Sequence, residues 1–147
     1  TTVILADKTG TMTTNEMTVE KIYVSNQEID VSGAGFEPKG EFSIKGKTFD
    51  PRKSADLTLL LTISSLCNDA VLTKDKNWEI IGDTTEGALL VVAKKAGFDV
   101  KELEKKHPRV NEIPFSSERK MMSKYDLATD KKMLITITET IFIRGSS

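Results

Sequence analysis

The sequence predicts an α+β fold, an antiparallel β-sheet with helices packed against it. Two observations carry that expectation. Strand-like runs occupy both ends of the chain, and two long helical segments lie between them. No internal repeat interrupts this plan.

Taken in order, Thr2-Val3-Ile4-Leu5-Ala6 reads as a short buried strand and residues 7–15 as a polar turn region. Met17–Val24 and Glu28–Val31 read as strands joined at Ser25-Asn26. Residues 32–50 carry Gly33, Gly35, Pro38, Gly40 and Gly46, which marks a loop with short strands. Ser54 is placed to cap a first helix whose apolar positions run almost all round, so that helix should be buried. Trp78-Glu79-Ile80-Ile81 reads as a strand. Asp83 with Glu86 three residues on is a capping-box pattern opening a second helix, which should stop at Gly97. Asp99–Lys106 predicts a short third helix that ends before Pro108. Val110–Phe115, Lys120–Leu127, Lys132–Thr138 and Thr140–Ile143 are β-like, with Thr129-Asp130 as a hairpin turn.

The totals narrow the function classes. The chain has 147 residues and a formal net charge of −1, with charges of both signs mixed along it. That balance gives no electrostatic footprint for nucleic acid or an anionic membrane surface. The single cysteine, Cys67, rules out an intrachain disulfide and fits a reducing compartment; its apolar surroundings predict a core position. The longest apolar-rich run, Leu57–Cys67, is too short to span a bilayer. Both ends read as cut from something longer, and Ser146-Ser147 as a cloning remnant.

The most specific motif is Asp7-Lys8-Thr9-Gly10-Thr11, directly after the first apolar strand. An aspartate at the C-terminal end of such a strand sits where α/β folds place ligands. Its carboxylate can attack a γ-phosphate to form an aspartyl phosphate. Gly10 lets backbone approach a phosphate, Thr9 and Thr11 offer hydroxyls and amides, and magnesium would offset the charge as the nucleophile nears a polyanion.

With its continuation Met12-Thr13-Thr14-Asn15, this motif resembles the phosphorylation motif of P-type ATPases, and Thr14-Asn15-Glu16-Met17-Thr18-Val19 is similar to the type II branch that includes calcium pumps. The family usually has Leu at Met12. The resemblance implies that Asp7 is the phosphoryl acceptor and that Lys8, Thr9, Gly10 and Thr11 complete its catalytic loop. It also implies that Thr9 helps Asp7 hold Mg2+, with the remaining ligands outside this chain. A haloacid-dehalogenase-like phosphatase or phosphotransferase is the related alternative. Such enzymes place a second Asp two residues after the nucleophile as general acid and base; Thr9 stands there instead. A non-catalytic nucleotide-binding module is a third reading.

Three further stretches resemble the family's nucleotide-binding domain, in the family's order. They are Cys67-Asn68-Asp69-Ala70, Gly82-Asp83-Thr84-Thr85-Glu86-Gly87-Ala88-Leu89 and Phe115-Ser116-Ser117-Glu118-Arg119-Lys120-Met121-Met122-Ser123. In the second, Thr84 stands where the family has Pro. Phe115 can stack on adenine, Glu86 can accept from its amino group, and Lys120 can supply a cation. Competing readings make Phe115 a core residue, Glu86 the second half of the capping box and Lys120 a surface charge. Ser117 stands where many calcium pumps have Arg; Arg119 is a substitute that strand alternation would point differently. Arg144 occupies the place of a pocket lysine. His107, in a polar loop without metal-ligand neighbours, should face solvent.

The resemblance divides the chain. Residues 1–14 form the first strand of a phosphorylation domain with its motif and hinge, and residues 15–145 a nucleotide-binding domain lacking its C-terminal part. The implied function is the ATP-binding cytosolic portion of a cation pump, using ATP and Mg2+. Its partners would be the remaining phosphorylation, actuator and transmembrane domains of a parent membrane protein. The family's later Thr-Gly-Asp and Gly-Asp-Gly-x-Asn-Asp motifs do not occur, so the fragment alone should bind ATP weakly without turnover.

Overall fold

A computed structural model describes residues 16–128 and 131–138. Among these residues nine strands and three helices follow in order. They are β1 (Lys21–Val24), β2 (Gln27–Val31), β3 (Phe42–Ile44), β4 (Lys47–Phe49), α1 (Ala55–Leu66), β5 (Val71–Lys74), β6 (Trp78–Ile81), α2 (Thr84–Lys95), α3 (Val100–Lys106), β7 (Arg109–Ser116), β8 (Met121–Ala128) and β9 (Lys131–Thr138). A single 3-10 turn, Pro51–Lys53, leads into α1. All the pairings described are antiparallel, and the class is α+β, as the sequence predicts.

The single sheet expected is three among the described residues. There is a meander β1-β2-β3-β4, a hairpin β5-β6 and a sheet β7-β8-β9. Alternation along a strand reports which of its faces is buried, not which strand lies beside it. β1 is also shorter than expected. Its ladder runs out where β2 ends, so Glu20 contributes one bond, accepting from Val31 N–H at 2.7 Å. The Ser25-Asn26 turn is correct: both residues are left-handed (φ 52° and 60°), the geometry a two-residue hairpin needs.

Ser54 caps α1 as predicted, its Oγ accepting from Leu57 N–H at 3.4 Å. The helix is not buried all round. Leu57 and Leu61 are sealed, but Leu59 is 54% exposed, so one stripe of α1 is left uncovered by the elements packed on it. Asp83 caps α2 by accepting from Thr85 N–H and Glu86 N–H at 2.8 and 3.0 Å. Gly97, with φ of 84°, closes that helix in a Schellman turn. Phe98 N–H donates to Ala93 O at 3.1 Å and Gly97 N–H to Lys94 O at 3.0 Å.

The core forms where the meander meets the two long helices. Ile29 and Phe42 pack with Leu57 and Leu61 of α1 and with Val92 and Ala93 of α2. Fully burying one such leucine contributes ~1.5–3 kcal/mol. Gly87 allows β6 to lie close to α2, since a Cβ there would sit 2.6 Å from the Ile80 side chain. A second, smaller cluster holds Leu66, Cys67 and Met122, so Cys67 is a core residue as expected. No helix among the described residues is long and apolar enough to cross a membrane.

Candidate functional site

The loop Cys67–Ala70 leaves the C-terminal end of α1 and is tied to three other elements. Asn68 is buried. Its Nδ2 donates to Ser64 O of α1 at 3.2 Å and to Glu86 O of α2 at 2.8 Å, while its Oδ1 accepts from Ala70 N–H at 2.9 Å. One asparagine thus satisfies an orphan carbonyl at the end of α1 and ties that end to the first turn of α2.

Glu86 faces the same loop. Its Oε2 accepts from Asp69 N–H at 2.9 Å and from Ala70 N–H at 3.1 Å. The reciprocal half of the capping box is therefore not made by Glu86. Asp83 alone caps α2, and the glutamate reaches across to the loop instead.

Two cations of the β7–β8 hairpin complete the junction. Lys124 of β8 is fully buried, and its Nζ donates to Asn68 O at 2.6 Å and to Asp69 Oδ1 at 2.7 Å. Arg109 of β7 donates from Nη2 to Asn68 O at 3.1 Å, and from Nη1 to Asp69 Oδ1 at 3.1 Å and Glu112 Oε2 at 2.9 Å. The Lys124 hydrogen bond, then the nearby charges of Lys124 and Arg109, hold the Asp69 carboxyl below the usual carboxylate range, although partial burial works the other way. Neither Lys124 nor Arg109 was singled out from the sequence. A signal was present: Lys124 lies two residues after Met122, on the same strand face, where alternation asks for another apolar residue.

Phe115 and Lys120 flank the turn at the other end of that hairpin. Ser116 pairs with Met121, and Lys120 N–H donates to Ser116 O at 2.7 Å. Phe115 is 53% exposed, which excludes the core reading. Lys120 is exposed, with a left-handed backbone (φ 56°). Arg119 lies in the turn rather than on a strand, and its Nη2 donates to Pro114 O at 2.8 Å and Met121 O at 3.2 Å. Its guanidinium is thereby engaged by backbone, so it is a poor stand-in for the arginine that Ser117 replaces. His107 is not solvent-facing as expected. It caps the end of α3 half-buried, with Nδ1 enclosed and without a partner among the described residues.

Phe115 lies about 10 Å along β7 from Glu112, the residue paired with Lys124. The structure therefore places Phe115 and Lys120 together at one hairpin end, and links Glu86 to the same hairpin through Asp69 and Lys124. A depression of about 400 Å3 beside α2, lined by Ala70, Leu72, Leu90, Lys94, Val100 and Glu104 among others, includes neither Glu86 nor Phe115. Asp7, Lys8, Thr9, Gly10 and Thr11, the proposed Mg2+ position at Asp7 and Thr9, and Arg144 lie outside the described residues. So do the Thr129-Asp130 turn and the Thr140–Ile143 strand. Among the described residues no three acidic, histidine or cysteine side chains gather as a metal site.

Residues 56–146 match the family model of the P-type ATPase cytoplasmic domain N. The chain is 40% identical over 134 residues, 90% of its length, to a calcium-transporting ATPase of Bacillus subtilis, and covers 15% of that relative. It is 38% identical over 151 aligned positions, 99% of its length, to the cation-transporting ATPase pma1 of a Synechocystis species, covering 16% of it. It is also 38% identical over 122 residues, 82% of its length, to the human calcium-transporting ATPase type 2C member 1, covering 13%. The chain thus spans about a sixth or less of the length of these relatives.

Proposed function

The chain belongs to the P-type ATPases, and from that premise we propose that it is the ATP-binding cytosolic portion of a cation-transporting pump. In this reading residues 15–145 bind the nucleotide and residues 1–14 carry the acceptor. The parent pump passes the γ-phosphoryl group of ATP to Asp7, driving transport across the membrane on whose cytosolic side the domain sits. Magnesium, when bound at Asp7 and Thr9, supplies charge neutralisation for the transfer.

The observation that carries the reading is the exposure of Phe115. An aromatic ring half in water at the end of a hairpin, with Lys120 at the same turn, is a platform that a base can cover. Base–aromatic stacking contributes ~1–3 kcal/mol. Lys120 adds a cation for the ring or the phosphates, and Glu86 an acceptor. Such a set leaves only a few kcal/mol after ordering costs, so the 147-residue chain binds ATP in the high-micromolar to millimolar range. It does not turn ATP over, because the motifs that complete the magnesium site are not in it.

Titrating ATP into the chain and into Phe115→Ala, followed by amide chemical shifts, tests this. Affinity is expected to fall about ten- to a hundredfold in the variant. A folded Phe115→Ala chain that binds ATP as the wild type does would remove Phe115, and the proposed base platform with it.

A further inference from the structure

Glu86 has one carboxylate oxygen held and, among the described residues, the other without a bonded donor. Oε2 takes both loop amides, at 2.9 and 3.1 Å, while no donor among the described residues is bonded to Oε1. A carboxylate held through one oxygen by two backbone N–H groups, one of them shared with Asn68 Oδ1, gives up hydrogen bonds if it swings. Its second oxygen therefore has a fixed direction, provided that the loop bearing those amides is itself fixed.

Lys124 supplies that fixation at a cost. A buried ammonium is strongly disfavoured unless well paired, and an apolar residue of similar volume at the same place commonly serves stability as well or better. Met122, buried two residues earlier on the same face, shows that the setting accepts such a side chain. What an apolar residue cannot do is donate to Asn68 O and Asp69 Oδ1 together. Those two acceptors bracket the peptide whose N–H is the shorter donor to Glu86. Arg109 grips the same two groups from the exposed side.

We propose that Lys124 is a positioning residue for base recognition: by fixing the Asn68–Ala70 loop it holds Glu86 Oε1 where it accepts an amino N–H of a nucleobase. This rests on the nucleotide-binding reading above and deepens it to base selectivity. An immobile acceptor discriminates. Adenine presents an exocyclic amine where guanine presents a carbonyl, and two acceptors facing each other leave both unpaired. A mobile Glu86 would turn away from guanine and lose that discrimination.

A purely structural Lys124 makes a different prediction from a positioning one, and the ratio of ATP to GTP affinity separates them. ATP and GTP are titrated by amide shifts into the full 147-residue chain and into Lys124→Met, Arg109→Met, Glu86→Gln and Phe115→Ala, each checked for a folded spectrum. The wild type is expected to prefer ATP about tenfold. Lys124→Met brings the ratio to within about twofold of one, and Arg109→Met lowers it about threefold. Arg109 is partly exposed, so its variant carries the test if Lys124→Met does not fold. Glu86→Gln inverts the preference, because its carbonyl oxygen takes the two loop amides and its NH2 group then faces the guanine carbonyl. Phe115→Ala weakens both nucleotides together and keeps the ratio.

Folded lysine and arginine variants that keep the wild-type ratio, while Glu86→Gln loses it, overturn the positioning role and leave nucleotide binding standing. A Glu86→Gln ratio equal to wild type takes Glu86 out of base reading and overturns the proposal through its premise. A wild-type chain that binds neither nucleotide overturns both readings at once.

Discussion

Two junctions hold the described part of this molecule together, one centred on apolar side chains and the other, beside a small apolar cluster of Leu66, Cys67 and Met122, on a hydrogen-bonded polar network. Where the β1–β4 meander meets α1 and α2, the centre is apolar, with Ile29, Phe42, Leu57, Leu61 and Val92 in one cluster, and polar contacts from Ser25 Oγ to Asp56 and from Lys95 Nζ to Ser32 O and Gly33 O lie at its exposed edge. Where the end of α1 and the start of α2 meet the β7–β8 hairpin, contact runs through Asn68, Asp69, Glu86, Arg109 and Lys124. The first kind of contact is non-directional and tolerates repacking. The second is directional, and each donor has a definite acceptor. An aliphatic junction holds elements together, whereas a hydrogen-bonded one also fixes their register. Of the side chains proposed for the nucleotide, Glu86 lies on the second, while Phe115 and Lys120 sit at the far end of its hairpin.

Substitutions should separate the two, and the aliphatic side should show the larger effects on stability. Leu61→Ala, at a fully buried position of α1, is expected to cost ~2–5 kcal/mol by urea denaturation. A cost under about 1 kcal/mol would mean that the core can collapse onto the vacancy, and the contrast between the junctions would weaken. Gly87→Ala comes next. A methyl 2.6 Å from Ile80 forces β6 away from α2, and the expected net loss is ~1–3 kcal/mol despite the better helix propensity of alanine. Thermal unfolding is sufficient to see it, and a stabilised variant would show that the β5–β6 hairpin moves aside easily.

The polar junction should instead respond to acid. The Asp69 carboxyl titrates below its ordinary value of 3.8 in the folded chain. Its pairing therefore stabilises the fold above that pH, and the contribution disappears as pH falls through the depressed folded value. With the side chain 52% exposed, the effect is at most ~1 kcal/mol. Comparing wild type with Asp69→Asn between about pH 5 and about pH 2 should show the wild-type advantage shrinking towards the acid end. A constant difference across that range would mean that Asp69 contributes through shape alone. The smallest stability change belongs to Phe115→Ala, within about 0.5 kcal/mol by urea denaturation, because the ring is half in water. A larger loss would put Phe115 back among residues that hold the fold.

The aliphatic junction was legible in the sequence, and the polar one largely was not. The Ser54 and Asp83 caps and the Gly97 stop locate α1 and α2, because each signal lies within a few residues of what it specifies. β7, β8 and β9 follow from their composition for the same reason. How strands group into sheets is not local, so one sheet was expected where three are described. The polar junction is less local still. Glu86 presented a plausible partner three residues away in Asp83, and spacing alone favoured the capping box. Its actual partners, Asp69 and Ala70, are amides, which carry no mark in the sequence. Lys124 reads as an ordinary strand lysine until Asp69 is brought to it. Resemblance did identify Cys67–Ala70 and Phe115–Ser123 as stretches to watch, without saying that the first would brace Glu86.

The separation of Lys124 from Asp69 has a consequence for the order of folding. The pair lies 55 residues apart in the chain, across two helices and two hairpins. The meander, α1 and α2 can find one another before β8 exists, whereas the Lys124 ammonium leaves water only once the whole intervening chain is in place. Because that burial is tolerated only once both acceptors are in place, the contact is expected on the downhill side of the folding barrier. A bond formed that late acts as a latch: Lys124→Met should speed unfolding while leaving the refolding limb of the chevron almost unmoved. A slowed refolding limb would place the latch inside the nucleus.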